Sequence, residues 1–177
     1  MVDWQAESEW AAIGLGSNLG DRAGNLREAV RRLSELGAVS AVSSFYETEP
    51  VEVDPAQPWF LNCAVALETS LMPKQLLART LAVEQAMGRR RKKPGKKLPR
   101  TLDIDIIFFG NAVVRSAGLT IPHPAMQHRR FVLGPLAEIA PEVRHPALKR
   151  TVKELLDALP PGAGLVRKTS EASPGPA

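Results

Sequence analysis

The stretch RTLDIDIIFFG, Arg100 to Gly110, constrains the fold of this chain more than any other. Its apolar-rich residues from Leu102 to Phe109 predict a strand, and alternation sets Asp103, Asp105, Ile107 and Phe109 on one face and Ile104, Ile106 and Phe108 on the other. Two carboxylates then stand side by side, roughly 7 Å apart at Cα, on a strand that otherwise reads as core. Burying them unpaired costs several kcal/mol, so positive charge has to sit between or above them.

The cations are close at hand. The segment RRRKKPGKKLPR, Arg89 to Arg100, holds eight positive residues and no acid, and since the whole chain carries +4 the remainder sums to −4. Basicity this local argues for one anion-binding site better than for a generally polycationic surface.

At 177 residues, with 44% hydrophobic and 24% charged residues, the composition is that of a globular protein with one domain and a sizeable core. Cys63 is the only cysteine, which excludes an intrachain disulfide and a cysteine zinc cluster and makes a reducing cytoplasm the expected setting. The start, MVDWQAESEW, has no apolar run, and no segment approaches the ~18 apolar residues of a membrane span, so neither a secretory signal nor a membrane anchor is expected.

Ala11 to Gly16 predicts a short buried strand running into a Gly-rich turn. Asp21 caps a helix with the apolar stripe Leu26, Ala29, Val30, Leu33 and Leu36, closed by Gly37. Val39 to Thr48 and Phe60 to Thr69 are the next strands, separated by a loop with Pro50, Pro55 and Pro58. Pro73 opens a helix that runs to Met87 and stops at Gly88. After the Asp strand, Gly110 and Asn111 signal a two-residue hairpin into AVVR. The order predicts an α+β fold, a ferredoxin-like sandwich (β-α-β-β-α-β) with an added β-hairpin and C-terminal helices. One of these follows IPHPAM; the other starts at Thr151 with a capping box to Glu154. Residues 1–9 read as an N-terminal extension, 10–159 as the domain and 160–177 as a flexible tail poor in apolar residues.

A D-x-D pair also occurs on solvated edge strands, but apolar flanks and eight upstream cations favour a place where Mg²⁺ and basic side chains meet a polyphosphate. GLGSNLGD matches neither the dinucleotide fingerprint nor a phosphate loop and reads as a tight strand-to-helix turn. The basic run contains no aromatic, unlike a single-strand nucleic-acid platform. Taken singly, His123 reads as structural, Phe60 and Phe131 as core, and Cys63 as a small buried hydrophobe.

Together, GSNLGD, SSFYETEPV, FLNCAVALET, PRTLDIDII, IPHP and RRFVLGPLAEIAP, in this order from about Ala12 to about Leu159, resemble the 6-hydroxymethyl-7,8-dihydropterin pyrophosphokinase family of folate biosynthesis. The resemblance implies transfer of the β,γ-diphosphoryl group of ATP to the pterin hydroxymethyl oxygen, with release of AMP. It further implies that Asp103 and Asp105 hold two Mg²⁺ ions, that Arg89, Arg91 and Arg100 are catalytic-loop arginines, and that Glu84, His123 and Arg129 lie at the ATP site. Thr48, Phe60, Asn62 and Phe131 fall at the pterin pocket, the two rings stacking on the bicycle and the Asn62 amide reading its polar edge. This sequence departs from the family pattern at Glu52, Lys97 and Leu98. The expected partners are ATP and 6-hydroxymethyl-7,8-dihydropterin, with no nucleic acid and no membrane, for a monomeric chain.

Two rivals share parts of this pattern. A nucleic-acid-binding ferredoxin-like module lacks its aromatic signature here, because the third strand, FLNCAVALET, carries one aromatic. A metal-dependent nuclease built on the Asp pair leaves Phe60, Asn62 and Phe131 without a role.

Overall fold

The computed structural model describes residues 7–51, 53–89, 97–162, 164 and 166–169. Its elements are β1 (Glu9–Ser17), α1 (Arg22–Leu33), β2 (Ala38–Val42), β3 (Tyr46–Thr48), β4 (Phe60–Thr69), α2 (Pro73–Ala86), β5 (Asp103–Phe109), β6 (Val114–Ser116), β7 (Leu119–Ile121), α3 (Arg130–Ile139), α4 (Val152–Asp157) and β8 (Val166–Lys168). A six-stranded sheet runs β5-β1-β4-β3-β8, with β2 also beside β4, and every pair in it is antiparallel.

Each face of the sheet has its own core. On one, Ile13 and Leu15 of β1, Leu61, Val65 and Leu67 of β4 and Ile104 and Ile106 of β5 pack with Leu26, Val30 and Leu33 of α1 and Leu76 and Val83 of α2. On the other, Ala12, Ala64, Ile107 and Phe108 meet Val132, Leu133 and Leu136 of α3 and Val152 and Leu155 of α4. These helices cover one end of the second face, and the cleft described below opens on the other.

The helix starts hold, although α1 ends at Leu33 with Ser34 as its cap and not at Gly37. Asp21 Oδ1 accepts the Gly24 amide at 3.0 Å. Thr151 and Glu154 form the reciprocal capping box, at 3.1 and 2.8 Å. Four expectations about strands and turns are corrected. The strand expected over Val39 to Thr48 is split into β2 and β3, because Ser43 turns its hydroxyl to the Ala64 amide and Phe45, fully buried, enters the first core. Ile107 is a bulge: Ala12 pairs with Phe108 and Ile13 with Ile106, so Phe109 leaves the face of the aspartates and joins the opposite core. Gly110 does turn the chain, at φ 50°, but Val114–Ser116 pairs with Leu119–Ile121 and not with the Asp strand. Within the tail, Val166–Lys168 pair with β3 as β8, an edge strand held by backbone bonds that its polar composition did not announce.

Candidate active site

Gly14 and Gly16 lie inside β1, as the strand expected over Ala11 to Gly16 has them, and the Gly-rich turn follows at Gly20, φ 74°. In register, Gly16 stands between Asp103 on β5 and Asn62 on β4, and Gly14 between Asp105 and Ala64. Strand alternation turns these residues to one face, and the missing side chains of the two glycines leave a low floor there. A β-carbon on Gly16 would come within 2.7 Å of Asn62 Oδ1, whereas one on Gly14 would meet its nearest neighbour, Ile107, at an ordinary 3.5 Å.

Over this floor opens a cleft of about 800 Å³, its mouth included. Thr48, Phe60, Asn62 and Phe131 line it together with Asp103, Asp105, Arg100 and Arg129. Eight of the twelve residues singled out in the sequence, from three strands, one helix and two loops, thus share one cavity.

One end is charged. Asp103 receives Arg89 Nη1 on one carboxylate oxygen at 2.8 Å and Arg100 Nη1 on the other at 3.0 Å. Arg89 also pairs with Glu84 at 2.5 Å, and Glu84 accepts the Ile104 amide at 2.7 Å. Burial raises the Glu84 carboxyl above the usual carboxylate range, against the pull of that amide and of Arg89. Burial first, then the Asp103 charge, pushes Asp105 up to about 7, with Arg129 and Arg89 acting in the other direction. Positive charge therefore sits on Asp103, supplied by Arg89 and Arg100 at the two ends of the basic segment.

The other end is neutral. Asn62 and Thr48 are buried, and the Asn62 amide donates to Thr48 Oγ1 at 2.5 Å. Phe60 begins β4 and Phe131 sits in the first turn of α3; both are half-buried and line the cleft. Arg129 bridges the two ends, its guanidinium 5.6 Å from the Phe131 ring centroid.

The remaining residues lie elsewhere. Glu84 is behind the cleft, holding Arg89 and the start of β5. His123 stands outside the lining: its amide donates to Ile107 O at 3.0 Å and its Nδ1 accepts the Ala125 amide at 3.3 Å. Arg91 falls outside the described residues, as does Glu52. Sequence reasoning missed Asn18, 1% exposed, which accepts the Arg100 amide through Oδ1 at 2.8 Å and donates to Gln57 Oε1 at 3.1 Å. Gln57 in turn donates to Lys97 O at 2.5 Å. The signal was present in the chain: a polar residue placed directly after an apolar strand, in GSN.

The α+β fold thus sets paired carboxylates and arginines against an aromatic and carboxamide pocket in one cleft. Residues 12–141 match the family described as 7,8-dihydro-6-hydroxymethylpterin-pyrophosphokinase (HPPK). The 2-amino-4-hydroxy-6-hydroxymethyldihydropteridine pyrophosphokinase of Bacillus subtilis is 46% identical over 139 residues, covering 77% of this chain and 81% of its own. That of Synechocystis sp. is 41% identical over 158 residues, covering 88% and 79%. Among solved structures, Plasmodium falciparum HPPK-DHPS superposes with a TM-score of 0.68 at 17% identity over 85% of this chain, which spans 43% of that longer chain. The chain belongs to the HPPK family.

Proposed function

We propose that the charged end of the cleft receives the triphosphate of ATP and the neutral end the pterin. As a pyrophosphokinase of its family, the chain transfers diphosphate from ATP to 6-hydroxymethyl-7,8-dihydropterin, giving AMP and the pterin diphosphate in folate biosynthesis. The observation that carries the spatial reading is the common cleft: Asp103 and Asp105 open onto the same space as Phe60, Asn62 and Phe131.

The chemistry needs in-line approach and neutralised charge more than covalent catalysis. The pterin hydroxymethyl oxygen bonds to the β-phosphorus as its O–H proton leaves to solvent, the bond from that phosphorus to the α,β-bridging oxygen breaks, and AMP carries the bridging oxygen away. Phe60 and Phe131 hold the ring plane, and Asn62, oriented by Thr48, meets its polar edge. Arg89 and Arg100, already bonded to Asp103, are within reach of phosphate oxygens at the same mouth, and Arg91 is assigned with them from the sequence alone. Arg129 and His123 contact ATP, while Glu84 serves the nucleotide end by fixing Arg89 and Ile104.

Asp103 and Asp105 suit Mg²⁺. They are hard oxygen donors facing one space, and Asp105 is a carboxylate whose charge burial opposes, which a divalent cation offsets. Among the described residues no third His, Cys, Asp or Glu completes a protein-only cage, in keeping with ions shared with the triphosphate, two of them in this reading. Bound there, Mg²⁺ supplies neutralisation of charge on the phosphate oxygens.

The strand order β5-β1-β4-β2/β3, all antiparallel around two helices, supports the ferredoxin-like assignment. A single functional domain, set at residues 10–159 before β8 is taken into account, a monomeric state and a cytoplasmic location complete the proposal. Among the described residues no helix is long and apolar enough to cross a membrane.

The test is an assay with ATP, Mg²⁺ and 6-hydroxymethyl-7,8-dihydropterin that resolves AMP from ADP. Pterin-dependent AMP release in equal amount to the pterin diphosphate is expected. ADP as the product, or AMP release indifferent to the pterin, would overturn the reading.

A further inference from the structure

Beyond residue 141, where the family match ends, the chain returns to the cleft. β8 extends the sheet past β3, pairing Val166 with Thr48, Arg167 with Glu47 and Lys168 with Tyr46. Without it β3 would be a three-residue edge strand held from one side only, by β4. Yet β3 carries Thr48, whose hydroxyl fixes the Asn62 amide.

The other contacts of this segment point the same way. Arg167 reaches Glu47 at 2.6 Å, and Glu47 is held from the far side by Arg22 of α1 at 2.9 Å. Val166 covers Gly134 of α3, its Cγ1 3.9 Å from where a β-carbon would stand, one turn beyond Phe131. Just upstream, Gly164, at φ 76°, lies against the cleft-lining Val51, whose Cγ2 is 3.4 Å from where its β-carbon would be. Arg130, at the start of α3, donates to Pro160 O at 3.1 Å. Thr169 closes the strand, donating from both its amide and hydroxyl to Phe45 O at 2.9 and 3.1 Å. These contacts from Pro160 to Thr169 thus brace β3, α3 and the loop after β3 at once, and all three carry walls of the neutral end.

We infer that β8, anchored through Arg167 to Glu47, is a positioning element for the acceptor substrate: it holds Thr48, and through it the Asn62 amide, in the orientation that reads the pterin edge. The inference rests on the assignment of the neutral end to the pterin. Arg167 touches no substrate; it acts through Glu47 and the register of β3. Because the ion pair is largely exposed on the Arg167 side, its own contribution to overall stability is small. The effect should therefore appear in pterin recognition before it appears in folding.

The experiment uses the full chain with Arg167→Ala, Arg167→Lys and Val166→Asp. Calorimetric titration with 6-hydroxymethylpterin in the presence of Mg²⁺ and α,β-methylene-ATP, and with the nucleotide alone, is paired with steady-state kinetics and thermal melts. For Arg167→Ala the pterin Kd and the pterin KM should rise about fivefold, corresponding to roughly 1 kcal/mol, with the nucleotide Kd and kcat at saturation unchanged. Arg167→Lys should recover most of the loss, and Val166→Asp, which strikes the half-buried contact with α3, should exceed it. Unchanged pterin affinity in both Arg167→Ala and Val166→Asp overturns the inference. So does a parallel loss of both ligands, which marks a general folding defect. A wild-type chain that binds the nucleotide but no pterin would instead overturn the assignment of the neutral end.

Discussion

The two ends of the cleft are built on opposite physical terms. At the neutral end, Asn62 and Thr48 are buried and satisfy one another. At the charged end, three carboxylates and two arginines share a small, partly buried volume, where Arg89 is divided between Glu84 and Asp103 and burial raises both Glu84 and Asp105. A prebuilt pocket loses little by waiting for its ligand, since its polar groups are already paired. A crowded charge cluster is satisfied only in part by its own residues, and the proposed cation and polyanion would complete it. On the reading proposed above, binding specificity and electrostatic catalysis fall to separate ends of one floor, in which Gly16 stands between Asp103 and Asn62.

The comparison breaks most visibly at the aspartates. Asp103→Asn and Asp105→Asn should each lower kcat by about a thousandfold, the scale of losing several kcal/mol of metal-based charge stabilisation, while pterin affinity is kept. Near wild-type turnover for either variant at saturating Mg²⁺ would remove the metal assignment. At the neutral end, Phe131→Ala should weaken pterin binding by about 2 kcal/mol through lost stacking and burial, with nucleotide affinity held. An equal loss for both ligands, measured by calorimetry, would make Phe131 a folding residue.

Smaller effects sharpen the contrast. Folding raises Asp105 from 3.8 to about 7, so between these values the folded chain holds a proton that the unfolded chain has released. Metal-free stability should accordingly fall as pH climbs from about 4 to about 7. Asp105→Asn should flatten that slope and stabilise the metal-free chain at pH 8, as read by chemical denaturation in chelator. A slope as steep in the variant as in the wild type would mean that Asp105 is not its source. The mildest pair probes the floor. Gly16→Ala should displace the Asn62 amide and cost about 1 kcal/mol of pterin affinity, whereas Gly14→Ala should leave the melting temperature nearly unchanged, because its β-carbon meets only an ordinary contact.

Much of the charged end is legible in the sequence itself. Asp103 and Asp105 announced themselves as paired carboxylates in an apolar strand, and the adjacent cations supplied the partner. Helices were equally legible, because Asp21, Pro73, Gly88 and the Thr151–Glu154 box act within one turn of the chain. What escaped was non-local. The bulge at Ile107 depends on the register against β1, and the room above Gly14 and Gly16 on what lies across two neighbouring strands. Pairing of β8 with β3 spans about 120 residues of sequence, as the Arg167–Glu47 contact records, and its short polar strand carries no apolar alternation. Asn18 and Gln57 join three loops through single hydrogen bonds that no spacing encodes. The neutral end came from resemblance alone, since Phe60, Asn62 and Phe131 taken one by one read as core.

The separation of the two ends is tested most directly by a crystal structure with α,β-methylene-ATP, 6-hydroxymethylpterin and Mn²⁺ in place of Mg²⁺. Anomalous density should place metal between Asp103, Asp105 and the triphosphate, with the pterin ring between Phe60 and Phe131 and its polar edge on Asn62. Metal bound away from the two aspartates, or the nucleotide base in the Phe60–Phe131 pocket with the pterin elsewhere, would contradict the account.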